Sequence, residues 1–324
     1  MVGTVLNQVP QDLVLRPATE EDHGALLALQ GTAPHTGAAL IQARRNFFAR
    51  TDAYPTSRVL VVEQQGALVG VECIALTEVR VGGVNRKAAY SFNTIVRPGL
   101  QRKGLGPTML EAAERWAVDQ GASYLTGFIK VSNAPSMKMV TALGWATVGR
   151  FDYLVLDLAR FDLPATPRAV HFDLYRDPHL MRLRLAAVQP LHFAPVFLER
   201  ELFSPPPAGA YAGSWTASTP RGTAWLSIWD DRPTRRLDPF DFRAVKAFDF
   251  MLEGAEPLTA FTNLIGVLAQ RGVRQLLVPL PAESAACSML RPFAGEVVDF
   301  NFVVKRLRGS DPVPPGPLYF DIRH

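Results

Sequence analysis

The stretch VRPGLQRKGLGPTMLEAAERW, Val96–Trp116, sets a loop with little side-chain bulk in front of a helix. Gly104 and Gly106 bare the peptide N–H groups between Gln101 and Gly106, while Arg102 and Lys103 add positive charge at the rim. From Pro107, which suits a first turn, to about Gln120 the residues read as helical, and Gly121 ends the run. Unpaired amides and the positive end of the helix dipole then point the same way, so the loop is a ready anion site whose ligand should carry phosphate. Two better-known phosphate loops are excluded. A Walker A loop needs Lys and Ser/Thr where Leu105 and Gly106 stand, and a dinucleotide fingerprint needs a third glycine where Met109 stands.

Outward from that loop the chain reads as alternating strands and helices. Leu13–Ala18 is a short strand, and Thr19 caps a helix carrying Leu26, Leu27 and Leu29. A second helix is expected over AALIQARRNFFAR, with Leu40, Ile41, Phe47 and Phe48 at helical spacing. Two strands joined around Gly66 form a hairpin, and a third, AAYSFNTIV, ends at Val96. After the loop and its helix come the strand SYLTGFI, the helix NAPSMKMVTALGW, and ATVGRFDYLVLDL, read as a strand pair. The order is β-α-α-β-β-β-α-β-α-β. Beyond Ala159–Val170 a similar order starts again with low residue identity: helical material over LMRLRLAAVQPLHFAPVFLERELF, three strands, a helix, a strand, a short helix and two closing strands. The expected division is therefore 1–160 and 161–324, a size ordinary for two domains in a chain of 324 residues.

Composition narrows the function classes. Apolar residues at 48% and charged residues at 20% describe an ordinary globular chain. The net charge of +4 is spread over single cations and pairs such as Arg44–Arg45 and Arg235–Arg236. No basic stripe results, which argues against nucleic acid and fits a small anionic ligand as well. With Cys73 and Cys287 as the only cysteines, neither a disulfide framework nor a thiolate zinc site is indicated, and His171, His179 and His192 lack metal-ligand spacing. No metal is expected. The N-terminus lacks a signal-peptide pattern and no apolar run is long enough to span a membrane, so the sequence reads as cytoplasmic.

The loop in its context resembles the acyl-CoA-binding motif of the GNAT N-acetyltransferase superfamily, V-x-P-x-x-(Q/R)-x-x-G-x-(G/A), through Val96, Pro98, Gln101, Gly104 and Gly106. The helix NAPSMKMVTALGW resembles the family's second motif through Asn133, Gly144 and Trp145. The resemblance covers roughly residues 11–158. It implies an α/β (α+β) GNAT fold, a mixed central sheet flanked by helices, here duplicated in tandem, with a second copy that lacks the coenzyme motif. It further implies that the pyrophosphate of acetyl-CoA lies on amides of Gln101, Arg102, Lys103, Gly104, Leu105 and Gly106. The pantetheine arm would pair with backbone of Ile95 and Val96, reached also by Asn133, and the following strand should splay from Phe92–Val96. The chemistry implied is acyl transfer to a primary amine of a small molecule or protein by direct attack on the thioester, with an oxyanion donor at the backbone N–H of Val96 or its neighbour.

That chemistry needs a base and, often, an acid for the leaving thiolate. Glu72, in an otherwise apolar strand segment, is the candidate base, since burial would raise its pKa; a solvent-facing glutamate on an alternating strand is the competing reading. Glu78 and Asn93 are weaker alternatives. Where the family usually has a tyrosine acid this chain has Val140, which leaves Tyr153 and Ser136 as substitutes. His35 lies in the loop expected to line the acceptor side. In the second half the turn before the main helix, MLEGAEPLTAF, carries Glu253 and Glu256, which would repel a pyrophosphate. Two other classes stay open: a GNAT-fold module that binds acyl-CoA without turnover, and a structural or nucleic-acid-binding protein. An oligomer is compatible with the sequence.

Overall fold

A computed structural model describes residues 12–32, 46–52, 54–173, 193–195, 211–229, 244–307 and 309. In chain order they form β1 (Leu13–Pro17), α1 (His23–Gly31), α2 (Ala49–Asp52), β2 (Ser57–Gln64), β3 (Ala67–Val81), β4 (Val84–Val96), α3 (Leu105–Asp119), β5 (Tyr124–Lys130), α4 (Ala134–Ala142) and β6 (Ala146–Asp157). There follow β7 (Val170–Asp173), β8 (Phe193–Pro195), β9 (Tyr211–Thr219), β10 (Gly222–Trp229), β11 (Ala244–Gly254), α5 (Pro257–Gln270), β12 (Gln275–Pro281), α6 (Ala285–Leu290) and β13 (Ala294–Arg306). Contacts group the chain into two compact units: Met1–Glu78, Arg86–Val148 and Phe302–Pro312 in the first; Val79–Asn85, Gly149–Asn301 and Val313–His324 in the second.

In the first unit the strand order is β1-β2-β3-β4-β5, closed by the end of β13. β1, β2 and β3 pair antiparallel, and β4 runs parallel to β5 with α3 as the crossover. Both sheet faces are covered, which explains the near-continuous apolar run of β3. On one face Leu60, Ile74 and Ala89 pack with Leu110, Ala113 and Trp116 of α3 and Val140 of α4. On the other, Val59, Val61, Val71, Cys73 and Ala75 pack with Leu26 and Leu29 of α1. α3 buries Leu105, Met109, Leu110, Ala113, Trp116 and Ala117, a single apolar stripe, and Gly121 with φ +81° follows it as a left-handed stop.

The second unit runs β13-β6-β12-β11-β10-β9-β7. β6 pairs antiparallel with β12 from Phe151↔Pro281 to Asp157↔Gln275, and β11 runs parallel to β12. β8 pairs with Val79–Val81. The core gathers Trp215, Leu226, Phe250, Phe261, Leu264, Ile265 and Leu276. The same order, three strands, helix, parallel strand, helix, strand, thus occurs as β2-β3-β4-α3-β5-α4-β6 and as β9-β10-β11-α5-β12-α6-β13.

The final strands are exchanged. The strand beside β5 is β13 and the strand beside β12 is β6. For that reason the division by packing is displaced from 160/161: β6 enters the second unit at Gly149, and Phe302 onward returns to the first. Three local expectations are also corrected. Residues 146–157 form one strand rather than a pair, because Gly149 is absorbed as an ordinary strand residue. Phe193–Pro195 is a strand within a stretch read as helical. α3 begins at Leu105, two residues ahead of Pro107. Residues 33–45, holding His35 and most of the second expected helix, lie outside the described residues, as do His179, His192, the SPPPAG run and the last expected strand.

At Gly254 the backbone has φ +100°, and a Cβ would stand 2.5 Å from the carbonyl oxygen of Arg221. Gly254→Ala therefore combines left-handed strain with a clash against backbone. A loss of about 2 kcal/mol or more in unfolding free energy is expected, measured by urea denaturation.

Candidate active site

The glycine loop begins with a tight turn. Leu100 N donates to Arg97 O at 3.1 Å around Pro98 and Gly99, and Gly99 has φ +84°, the arrangement of a type II turn. Arg102 (φ +64°) and Gly104 (φ +85°) then adopt left-handed conformations, of the kind from which anion-binding concavities of backbone N–H groups are built. Gly104 caps α3 with its carbonyl, accepting from Thr108 N and Thr108 Oγ1. A Cβ on Gly104 would meet nothing within 4 Å, whereas one on Gly106 would stand 2.7 Å from Met139 Sδ of α4. Gly104 thus keeps the loop open toward solvent, and Gly106 lets α4 approach. Gln101, Arg102 and Lys103 are exposed and Leu105 is buried as the first anchor of α3. The Val96 carbonyl accepts from Gln101 Nε2 at 3.3 Å.

Asn133 caps α4: its Oδ1 accepts from Ser136 N at 3.2 Å, and the residue is exposed. The parallel pairing of β4 with β5 runs Ala88↔Tyr124, Ala89↔Leu125 and Tyr90↔Thr126, and stops there. Phe92–Val96 continue without β5, as the sequence leads one to expect, and Ile95 and Val96 stand at the parted end.

Glu72 has the apolar surroundings expected of it rather than a place on the solvent face. It is 0% exposed, so it is no solvent-face residue, yet neither is it a carboxylate open to a substrate. Ser91 Oγ donates to its Oε1 and Thr94 Oγ1 to its Oε2, each at 2.5 Å. Burial is the largest influence and raises its pKa from 4.5 to about 7, against the lowering effect of the two hydroxyl donors. Its face follows from its neighbours on β3. A Cβ at Gly70 would stand 2.9 Å from Met109 Sδ of α3, and Ile74 packs with Leu110 and Ala113, so Glu72 lies between them beneath α3.

The spacing of the two donors is explained by Asn93. Ser91 and Thr94 are three apart, where strand alternation allows two or four. Asn93 has φ +57°, a conformation asparagine tolerates, and its side chain turns to the α1 face, meeting Arg50 Nη1 at 3.4 Å and Cys73 Sγ at 3.9 Å. One extra residue in the strand returns Thr94 to the α3 face. Thr94 is itself exposed, so its hydroxyl links a sealed carboxylate to the parted end of β4. Sequence reading missed Ser91 and Thr94; their spacing with Asn between them was the available signal.

On the α1 face, Arg50 of α2 donates to Tyr90 Oη at 2.8 Å and lies 4.3 Å from the Phe92 ring centre. Tyr153 belongs to the second unit, where it is 4% exposed, edge-on to Phe151 and Phe300, with Lys246 Nζ 5.9 Å from its ring centre. Its surroundings are those of a packed strand residue. Glu78 is exposed, and Val140 is buried with the α3 cluster.

Residues 30–145 match the family model described as the acetyltransferase (GNAT) family. Over that stretch the chain is similar to a GNAT domain. The match runs from the end of α1 to the residues closing α4, so it includes the loop, the parted strands and Glu72. Among solved structures, the GCN5-related N-acetyltransferase of Kribbella flavida is 14% identical with a TM-score of 0.57, over 91% of this chain and 71% of that one. A tandem GNAT protein of the clavulanic acid pathway is 15% identical with a TM-score of 0.62, over 92% of this chain and 100% of that one. The N-myristoyltransferase of Saccharomyces cerevisiae, solved with myristoyl-CoA, is 10% identical with a TM-score of 0.64, over 93% and 80%. At these identities the likeness is one of fold, and it extends across both units. A search of curated proteins finds no match. No helix among the described residues is long and apolar enough to cross a membrane.

The raised pKa of Glu72 makes a stability prediction with a definite sign. The folded protein holds this proton between pH 4.5 and about 7, where the unfolded chain has released it, so stability falls as pH rises through that window. The difference corresponds to roughly 3 kcal/mol at most. Urea unfolding of wild type and Glu72→Gln at pH 5 and pH 8 should show the variant losing less stability over that interval.

Proposed function

We propose that this chain is an acyl-CoA-dependent N-acyltransferase that uses acetyl-CoA and acylates a primary amine of a small molecule or protein by direct attack. The observation that carries this reading is the conjunction of an open, left-handed loop at the start of α3 with a strand pair that parts immediately upstream. The loop supplies unpaired N–H groups, a helix terminus, Arg102 and Lys103 to a diphosphate. Beyond Tyr90 and Thr126 the parted edges can take the amides of a pantetheine arm, which fits a ligand with a phosphate end and a peptide-like body. Asn133 spends Oδ1 on its helix and keeps its amide N–H groups for that arm.

The second half we read as a degenerate copy, so that residues 1–160 and 161–324 are the two covalent repeats even though they trade closing strands. Its counterpart of the loop does not suit a diphosphate. Glu256 precedes α5, its backbone N–H goes to Arg221 O at 2.9 Å, and its carboxylate pairs with Arg221 Nη1 at 2.6 Å. The β9–β10 turn takes up that helix start, leaving the copy to support the catalytic half.

A second reading, a module that holds acyl-CoA without turnover, is favoured by Val140 and by the sealing of Glu72. Thiol release from acetyl-CoA across a panel of amines separates the two, with release above the solution rate supporting the enzyme. Under the coenzyme reading, Arg102→Glu with Lys103→Glu should weaken acetyl-CoA binding at least tenfold by calorimetry and flatten its dependence on salt. Unchanged affinity in the folded variant would overturn the placement of the diphosphate.

A further inference from the structure

We infer that Thr94 is the catalytic hydroxyl that protonates the departing coenzyme sulfur, with Glu72 as the buried proton source behind it. The inference rests on the coenzyme placement proposed above and goes beyond it by assigning the proton step to two residues.

Three observations carry it. The carboxylate of Glu72 is closed to solvent and has two donors, of which Ser91 is buried and Thr94 exposed. Thr94 is therefore its route outward. The bulge at Asn93 returns that hydroxyl to Glu72 on the α3 face, the side of the helix that the glycine loop caps at Gly104, so an arm anchored at Gln101–Gly106 would reach it along that face. Thr94 also lies past Tyr90↔Thr126, the last paired residues of β4 and β5, where the thioester end of such an arm arrives. A base for the incoming amine would have to touch the ammonium. Glu72 touches Thr94 instead.

The step balances without a further reactant. The amine nitrogen bonds to the acyl carbon and the carbon–sulfur bond breaks, leaving the electron pair on sulfur. Thr94 Oγ1–H passes its proton to sulfur as Glu72 Oε2–H passes its own to Oγ1, so the products are amide, thiol and a Glu72 carboxylate that accepts from Ser91 and Thr94 as observed. The proton lost by the amine goes to solvent and one returns to Glu72 before the next cycle. With Glu72 near 7 and an alkyl thiol at roughly 8.5, the transfer runs downhill. Arg58 on β2, Glu111, Glu114, Arg115 and Asp119 on α3 and Lys138 on α4 are charged groups of the elements packed on this face. None is among the influences on Glu72; Arg58 lies over Trp116 and Glu114 pairs with Lys305 at 2.5 Å.

The test uses the full chain, acetyl-CoA, and hydroxylamine as an acceptor uncharged between pH 6.5 and 9. Thr94→Val should lower kcat tenfold or more with acetyl-CoA affinity within twofold of wild type, Thr94→Ser should restore it, and Glu72→Gln should match Thr94→Val. In wild type kcat should fall as pH rises through 7, and this limb should vanish in Glu72→Gln. A kcat that instead rises through 7, or a Thr94→Val enzyme at wild-type rate, overturns the inference. A readout free of turnover compares CoA with desulfo-CoA: Thr94→Val should weaken CoA binding severalfold and leave desulfo-CoA unchanged, and equal effects on both overturn the inference. Wild type that binds neither ligand fails the coenzyme reading itself and the inference with it.

Discussion

The parting of β4 from β5 is the constraint on which the first unit depends. Three residue pairs hold the parallel strands together, and then the backbone of Phe92–Val96 runs on without that partner. Peptide groups at a sheet edge must be satisfied by something, and a ligand with amides of its own is one physical answer. The remaining features follow from keeping the edges apart. Asn93 adds a residue to β4, α3 crosses over to bring β5 back parallel, and the Gly104 turn lets α3 start close to the strand end. A turn containing Gly99 fixes the exit from β4, with Arg97 Nη2 donating to Leu68 O at 2.6 Å to hold it against β3.

The sealed carboxylate is the second organising feature. A glutamate in the middle of a fully covered sheet costs stability whenever it ionises, and here the cost is reduced by two hydroxyl donors rather than by an opposite charge. A positive partner would have lowered its pKa and fixed the ionised form. Donors without charge leave it poised between forms near neutrality, which suits the proton exchange proposed for it. Asp22 is the contrast within the same unit. Arg16 holds it at about 2, committing it to structure.

Much of this was legible in the residues because the signals were local. The loop, the hairpin at Gly66, the stripe on α3 and the caps at Gly121 and Asn133 each depend on neighbours a few positions away. The burial of Glu72 was less accessible, since Gly70, Glu72 and Ile74 alternate with Val71 and Cys73 and only the arrival of α3 decides which set is covered. Thr94 was hard to read for a related reason: its face depends on whether Asn93 adds a residue to the strand. ATVGRFDYLVLDL misled in the opposite sense, reading as a strand pair where residues 146–157 are one strand. Tyr153 drew notice by its chemistry, while its place was decided by pairing with Pro279 on a strand more than a hundred residues later.

The exchange of closing strands has a consequence for synthesis. β5 is complete at Lys130, but the segment that lies beside it, Phe302–Arg306, leaves the ribosome only after most of the chain has been made. Until then the nascent first half carries a bare sheet edge, a state open to misassembly or chaperone capture. Maturation of the half that holds the glycine loop is thereby tied to translation of the whole chain, and a message truncated before codon 302 yields a half whose sheet cannot close.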